Sequence, residues 1–188
     1  MEDLKSFYIA LDKIVKNRAI RPFVCAGNPL DTEILIVGFN PATITDDFWS
    51  FFDIEYGFHK SEWLISYKEN RRKSGKKSDL SNSRRVMEWL EYSLCQNNKN
   101  YKIMETNIYS YPTAKKSELS RDEKTEVFDF LISVLKPNLI ITHGVDAKKY
   151  IQELNLDIPV IYEKHFAIGW SREKARVLSE QIIEIMDQ

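Results

Sequence analysis

Apolar positions along the chain follow two alternating patterns. In residues 3–17, Leu4, Phe7, Tyr8, Leu11, Ile14 and Val15 recur every three or four positions, which gathers them on one face of a helix. Arg21-Pro22 follows, and the residue before a proline is steered out of the helical region, so that helix has ended by then. The same spacing returns at 81–94 (Val86, Trp89, Leu90, Ser93, Leu94), at 122–135 (Val127, Phe128, Leu131, Ile132, Leu135), at 145–154 and at 171–186. Asp122 and Glu123 put acid at the start of the second of these helices, where the helix dipole favours it.

Between the helical stretches lie short apolar runs. Ile34-Leu35-Ile36-Val37 closes on Gly38, and further runs fall at 101–108, 137–144 and 158–162. A run that is apolar at successive positions must bury both faces, as a central parallel strand does. The order is helix, strand, helical insert, strand, helix, strand, helix, strand, helix. Such alternation predicts an α/β fold with helices on both faces of a parallel sheet. The expected architecture is a three-layer α/β/α sandwich around a four-stranded parallel sheet. At 188 residues the chain suits one domain, 1–188, carrying an aromatic and basic insert around residues 44–83.

That insert has two parts. Residues 48–59, F-W-S-F-F-D-I-E-Y-G-F-H, are dense in aromatics and can either pack in a core or cover a pocket. Residues 68–83, K-E-N-R-R-K-S-G-K-K-S-D-L-S-N-S, are basic and nearly free of apolar side chains. They read as an exposed, mobile loop. The loop is either solvated surface or an arm that contacts phosphates through Arg71, Arg72, Lys76 and Lys77, helped by Arg84 and Arg85.

Composition narrows the picture slightly. A hydrophobic fraction of 43% with 29% charged residues is that of a folded globular protein. A formal net charge of -1 argues against a protein that coats nucleic acid through its overall charge, although a local basic patch is enough to hold phosphates. Two cysteines, Cys25 and Cys95, cannot alone build a four-cysteine zinc or iron–sulfur site and are expected as reduced thiols. The first 21 residues lack the apolar core of a signal peptide. No apolar run is long enough to span a bilayer, and a cytoplasmic location is expected.

Open α/β sheets bind ligands at the C-terminal ends of their strands. Those ends deliver Gly38-Phe39-Asn40-Pro41-Ala42-Thr43, then Thr106-Asn107-Ile108-Tyr109, His143-Gly144 and Lys164-His165-Phe166-Ala167. Two amides and two imidazoles thus converge on one rim, with no Gly-rich phosphate loop and no G-x-S-x-G nucleophile elbow. An asparagine offers an acceptor and a donor side by side, which matches the edge of a nucleobase. A histidine can donate to an anionic leaving group or act as acid or base. An asparagine carbonyl can orient a water but cannot take its proton. The set suits hydrolysis with a good leaving group. Each residue also has a structural alternative: Asn40 as a turn former before Pro41, Asn107 as a strand-end cap, His165 as a surface or core histidine, and His143 as the start of a helix.

G-F-N-P-A-T after a first buried strand resembles the first motif of the uracil-DNA glycosylase superfamily, in the G-x-N-P form of its mismatch-specific and single-strand-selective branches. E-T-N-I-Y is similar to that family's second strand, K-P-N-L-I-I-T-H-G-V-D-A to its third strand and following helix, and Y-E-K-H-F-A-I-G-W-S to its histidine loop. The resemblance implies that Asn40 positions the attacking water and His165 stabilises the departing base anion. It implies that Asn107 reads the pairing edge of a flipped base, with Phe52 stacking on it and Gly38, Phe39 and Pro41 shaping the pocket. It implies a monofunctional DNA glycosylase that needs no metal or redox cofactor. Its partner would be DNA, single-stranded or mismatched, with no membrane and no obligate protein partner. The chain departs from the family where Phe166-Ala167-Ile168-Gly169-Trp170 replaces a proline–serine continuation, and where Ala42 replaces a glycine. Those departures predict weak or narrowly directed activity. They leave open a binding protein that holds a base or nucleotide without cleaving it, and a hydrolase of small nucleosides, which the basic segment disfavours.

Overall fold

The computed structural model describes residues 3–15, 19–42, 47–113, 116–119 and 124–188. Thr43 and the acidic pair at 122 and 123 lie outside them. Among the described residues, α1 is Leu4–Ile14, α2 Lys60–Lys73, α3 Asn82–Gln96, α4 Glu126–Leu135, α5 Val145–Glu153 and α6 Arg172–Met186. The strands are β1 Phe23–Val24, β2 Ile34–Gly38, β3 Phe52–Asp53, β4 Gly57–Phe58, β5 Ile103–Asn107, β6 Leu139–His143 and β7 Val160–Glu163.

The main sheet has five strands in the order β1-β5-β2-β6-β7. Four of them, β5, β2, β6 and β7, run parallel. The fifth corrects the four-stranded expectation: β1 pairs antiparallel with β5 at the edge. A strand of two residues, Phe23 and Val24, is too short to show a period. Its place is reinforced by Thr106, whose hydroxyl donates to the Pro22 carbonyl at 2.7 Å.

Side-chain alternation sorts the strand residues onto two faces. Leu35, Val37, Met104 and Ile140 join a core with Phe7 and Leu11 of α1, Phe128 and Leu131 of α4, and Ala147 and Ile151 of α5. Ile34, Ile36, Leu139, Ile141 and Ile161 join the other core, with Val86, Leu90 and Leu94 of α3, Leu178 and Ile182 of α6, and Phe166. Helices therefore cover both faces, which is why β2 is buried along its whole length.

The insert is more ordered than its composition suggested. Asp47 caps a 3-10 turn at Phe48–Phe51, and β3 and β4 form a small hairpin. The stretch expected as a mobile loop is helical up to Lys73, because α2 is anchored by buried Trp63, Ser66 and Tyr67 and ends on three cations, Arg71, Arg72 and Lys73, where the helix dipole favours them. The connection from Ser74 to Ser81 then returns the chain to α3, whose first turn is capped by the Ser81 hydroxyl accepting from the Arg84 N–H.

Candidate functional site

The sheet register builds the site. Gly38 pairs with Asn107 on one side, and its neighbour Val37 pairs with Thr142 on the other, so Asn107, Gly38 and His143 form one row across three parallel strands. All three point to the face that carries Ile34, Ile36, Leu139 and Ile141 deeper in the molecule. That face is apolar at the start of the strands and polar at their C-terminal ends. Gly38 is what lets the two flanking side chains close in. A Cβ at this position would lie 2.7 Å from Asn107 Oδ1 and 3.0 Å from His143 Nε2. The Asn107 amide itself has no hydrogen-bond partner among the described residues.

Asn40 is held differently. Its Nδ2 donates to the Thr113 hydroxyl at 2.7 Å, to the Thr113 carbonyl at 3.2 Å and to the Pro41 carbonyl at 3.3 Å. With carbonyls as acceptors, that end of the amide must be the NH2. Its Oδ1 is then the end left to meet a ligand or a water.

The two histidines meet edge to face, with ring centroids 5.1 Å apart. His165 Nδ1 accepts the Ala167 backbone N–H at 3.1 Å, so the neutral ring carries its proton on Nε2. Burial lowers the pKa of this partly exposed ring, which favours that neutral, donating form. Its approach depends on Gly144, at φ +95, where a Cβ would sit 3.1 Å from His165 Cδ2. His143 is buried and stacks on Phe166 at 4.4 Å. Burial, with the neighbouring His165, pushes its pKa down to about 3, and its Nδ1 is buried without a partner.

Asn40, Asn107, His143 and His165 line one cavity of about 530 Å³, together with Pro41, Arg71, Lys76 and Lys77, whereas Gly38, predicted to shape the pocket, lies beneath Asn107 and His143 and is not on its wall. Other predicted residues lie elsewhere. Phe52 stacks on Tyr8 at 5.9 Å and meets Trp49 and Phe23 edge-on; it is part of an aromatic core and not of the cavity wall. Phe39 packs edge-on against Tyr109 at 5.2 Å, also off the wall. Arg72 faces outward in a two-bond pair with Asp79, at 3.0 and 2.7 Å. Sequence reasoning undervalued His143, and it missed Arg21 and Glu105, which also line the cavity. The signal for Glu105 was available: in β5 it lies two residues from Asn107, hence on the same face. Among the described residues, no three His, Cys, Asp or Glu side chains gather as metal ligands.

No family profile matches the chain, and no curated protein does. Among solved structures, the chain is similar to the solution NMR structure of a "putative Uracil DNA glycosylase" from Methanosarcina acetivorans, at 12% identity and a TM-score of 0.47, covering 88% of this chain and 98% of that one. A likeness that distant assigns no function, and the site has to speak for itself.

The row geometry makes a direct prediction. Gly38→Ala should leave the fold in place at a cost of about 1–3 kcal/mol from overpacking, while displacing Asn107 and His143. A thermal melt and a ligand-binding titration on the same variant check it. Unchanged binding would mean that the two side chains do not act over Gly38.

Proposed function

We propose that the chain hydrolyses the N-glycosidic bond of uracil or a related damaged base in DNA. The observation that carries this reading is the convergence of an unpartnered amide, a fixed amide and a donating imidazole in one cavity at the C-terminal strand ends. Asn107 meets the pairing edge of the base through its paired acceptor and donor. Gly38, with no Cβ, lets Asn107 and His143 close over it and so sets where the Asn107 amide stands. His165 Nε2–H points its proton at the base oxygen that becomes negative as the bond breaks. Asn40 Oδ1 orients the water.

The balance of the step follows from what these groups can and cannot do. The bond from C1′ to the base nitrogen breaks, and the electron pair leaves with the base. The water oxygen bonds to C1′ and its proton ends on the base anion or in solvent. Asn40 cannot take that proton, so bond breaking must run ahead of attack, with oxocarbenium character on the sugar. His165 therefore has the larger share of the catalysis.

Binding without cleavage is the second reading, and one observation favours it. Glu105 is the one carboxylate on the cavity wall among the described residues, and it is already paired with Arg84 and Lys60. No unpaired carboxylate is left on that wall to act as general base.

Strand cleavage after alkali separates the two. Oligonucleotides would carry uracil in a single strand, opposite guanine and opposite adenine. Wild-type protein is expected to cleave at least one, and His165→Ala to lose about 10²–10³ in rate, as removal of one preorganised donor does. Asn40→Ala should also lose rate. Asn107→Ala should lose base recognition with its circular dichroism unchanged. Absence of cleavage on all three substrates by folded wild-type protein would leave the binding reading.

A further inference from the structure

The cavity wall is far more positive than the chain as a whole. The sequence holds 27 Lys and Arg against 28 Asp and Glu. Among the described residues, the cavity is lined by Arg21, Arg71, Lys76, Lys77, Arg84 and Arg85 against the one carboxylate of Glu105.

That carboxylate is already engaged. Arg84 Nη1 lies 2.5 Å from Glu105 Oε1 and Lys60 Nζ 3.6 Å from it. Arg84 is itself buried against the faces of Trp63 and Tyr67, at 4.8 and 5.8 Å, and its Nε has no partner. Arg21 sits over the same Trp63 ring at 5.8 Å. Its guanidinium makes no hydrogen bond or ion pair with any described residue. Burial and the nearby Arg84 charge push the Arg21 pKa down to about 10, and the Glu105 carboxylate, already engaged by Arg84, only partly offsets them. Two guanidiniums thus share one wall with a single carboxylate.

We infer that the part of the cavity lined by Arg21 and Arg84 is a phosphate-binding subsite. The planar fork of arginine matches phosphate oxygens in pairs, and the aromatic faces of Trp63 and Tyr67 hold the guanidiniums without neutralising them. Arg71, Lys76, Lys77 and Arg85 extend the positive field along the cavity. The subsite deepens the proposed nucleobase reading. Glu105, which fixes Arg84, lies two residues from Asn107 on one face of β5, about 6.6 Å along the strand. One ligand can therefore present its base to Asn107 and its phosphate to the arginines. The phosphate is either the diester of a strand or the monoester of a free nucleotide.

Isothermal titration calorimetry would measure four probes: inorganic phosphate, deoxyuridine, deoxyuridine 5′-monophosphate, and a short oligothymidylate with no terminal phosphate. The proteins would be wild type, Arg21→Gln, Arg21→Lys and Asn107→Ala, each checked by its thermal melt. For wild type the monophosphate is expected to bind at least about tenfold more tightly than deoxyuridine, the worth of one charge-assisted hydrogen bond. Inorganic phosphate should compete for it. Arg21→Gln should erase the advantage, and Arg21→Lys, which keeps the charge but not the fork, should retain part of it. Oligothymidylate affinity that also falls in Arg21→Gln assigns the diester; loss confined to the monophosphate assigns the free nucleotide. Equal wild-type affinity for nucleoside and nucleotide overturns the subsite, and this arm needs no variant. Undiminished phosphate binding by folded Arg21→Gln overturns it as well. Asn107→Ala keeps the two readings apart: it should weaken deoxyuridine and spare inorganic phosphate. If deoxyuridine binding is unchanged there, the base reading fails and the phosphate subsite stands.

Discussion

Replacing Glu105 by alanine should lower stability by about 3–5 kcal/mol, the cost of leaving a buried charge without its partner. Glu105 and Arg84 are both buried, at 5% exposure each. Burial alone would raise the Glu105 carboxyl, but the Arg84 and Lys60 charges outweigh it and hold the pKa below its usual range. Arg84 shows the mirror balance: burial works against its charge, and Glu105 more than restores it. Without the carboxylate, Arg84 would stand beside Arg21 and lose its one ion pair among the described residues, with only the weaker pull of Glu91 left, while Lys60 keeps its pair with Glu91. For a chain of this length each kcal/mol moves Tm by roughly 2–4 °C, so the melt should fall by on the order of 10 °C. The double variant Arg84→Met/Glu105→Leu should recover most of that loss, since removing both charges also removes the desolvation cost. A Glu105→Ala protein that melts within about 1 kcal/mol of wild type would show that water, and not Glu105, satisfies Arg84.

That pair also marks where sequence reading reached its limit. The four parallel strands were legible because Ile34 to Val37 and Leu139 to Ile141 are apolar at every position, a pattern with few other uses. The convergence of Asn40, Asn107 and His165 followed from strand order alone, because in parallel strands the C-terminal ends share one edge. What depended on side-chain packing was not legible. Aromatic density at 48–59 is equally consistent with a core and a pocket lid, and the rings of Phe48, Trp49 and Phe52 chose the core. The polar end of α2 looked like a loop, because the buried residues that anchor the helix, Trp63, Ser66 and Tyr67, stop at Tyr67 and leave the stretch to Lys73 without one. Arg21 gave no sign at all: in sequence it is merely the residue before a proline, and its role depends on Trp63, far along the chain.

Acid should destabilise the protein through His143, and the sign follows from its burial. In the unfolded chain this imidazole takes up a proton near its usual 6.5, whereas in the fold it stays neutral down to about 3. Between those values the unfolded state binds more protons, so stability falls as pH falls, by up to ~1.4 kcal/mol per pH unit. Above 6.5 the residue has no effect on the pH dependence, and below about 3 the loss is complete. Chemical denaturation of wild type at pH 5 against pH 7 should therefore show a loss of ~2 kcal/mol that His143→Gln lacks. Glu105, whose pKa is also displaced, and His165 titrate in both proteins, so their contributions cancel in the difference. A difference curve flat in pH would mean that His143 is solvated or already charged in the fold. The same burial bears on the site's chemistry. The two rings meet at 5.1 Å and the His165 charge would oppose any proton on His143, so His143 stays neutral, while burial shifts His165 toward its neutral form. In that form His165 offers a developing anion an Nε2–H whose direction is fixed by the Ala167 N–H on the other nitrogen.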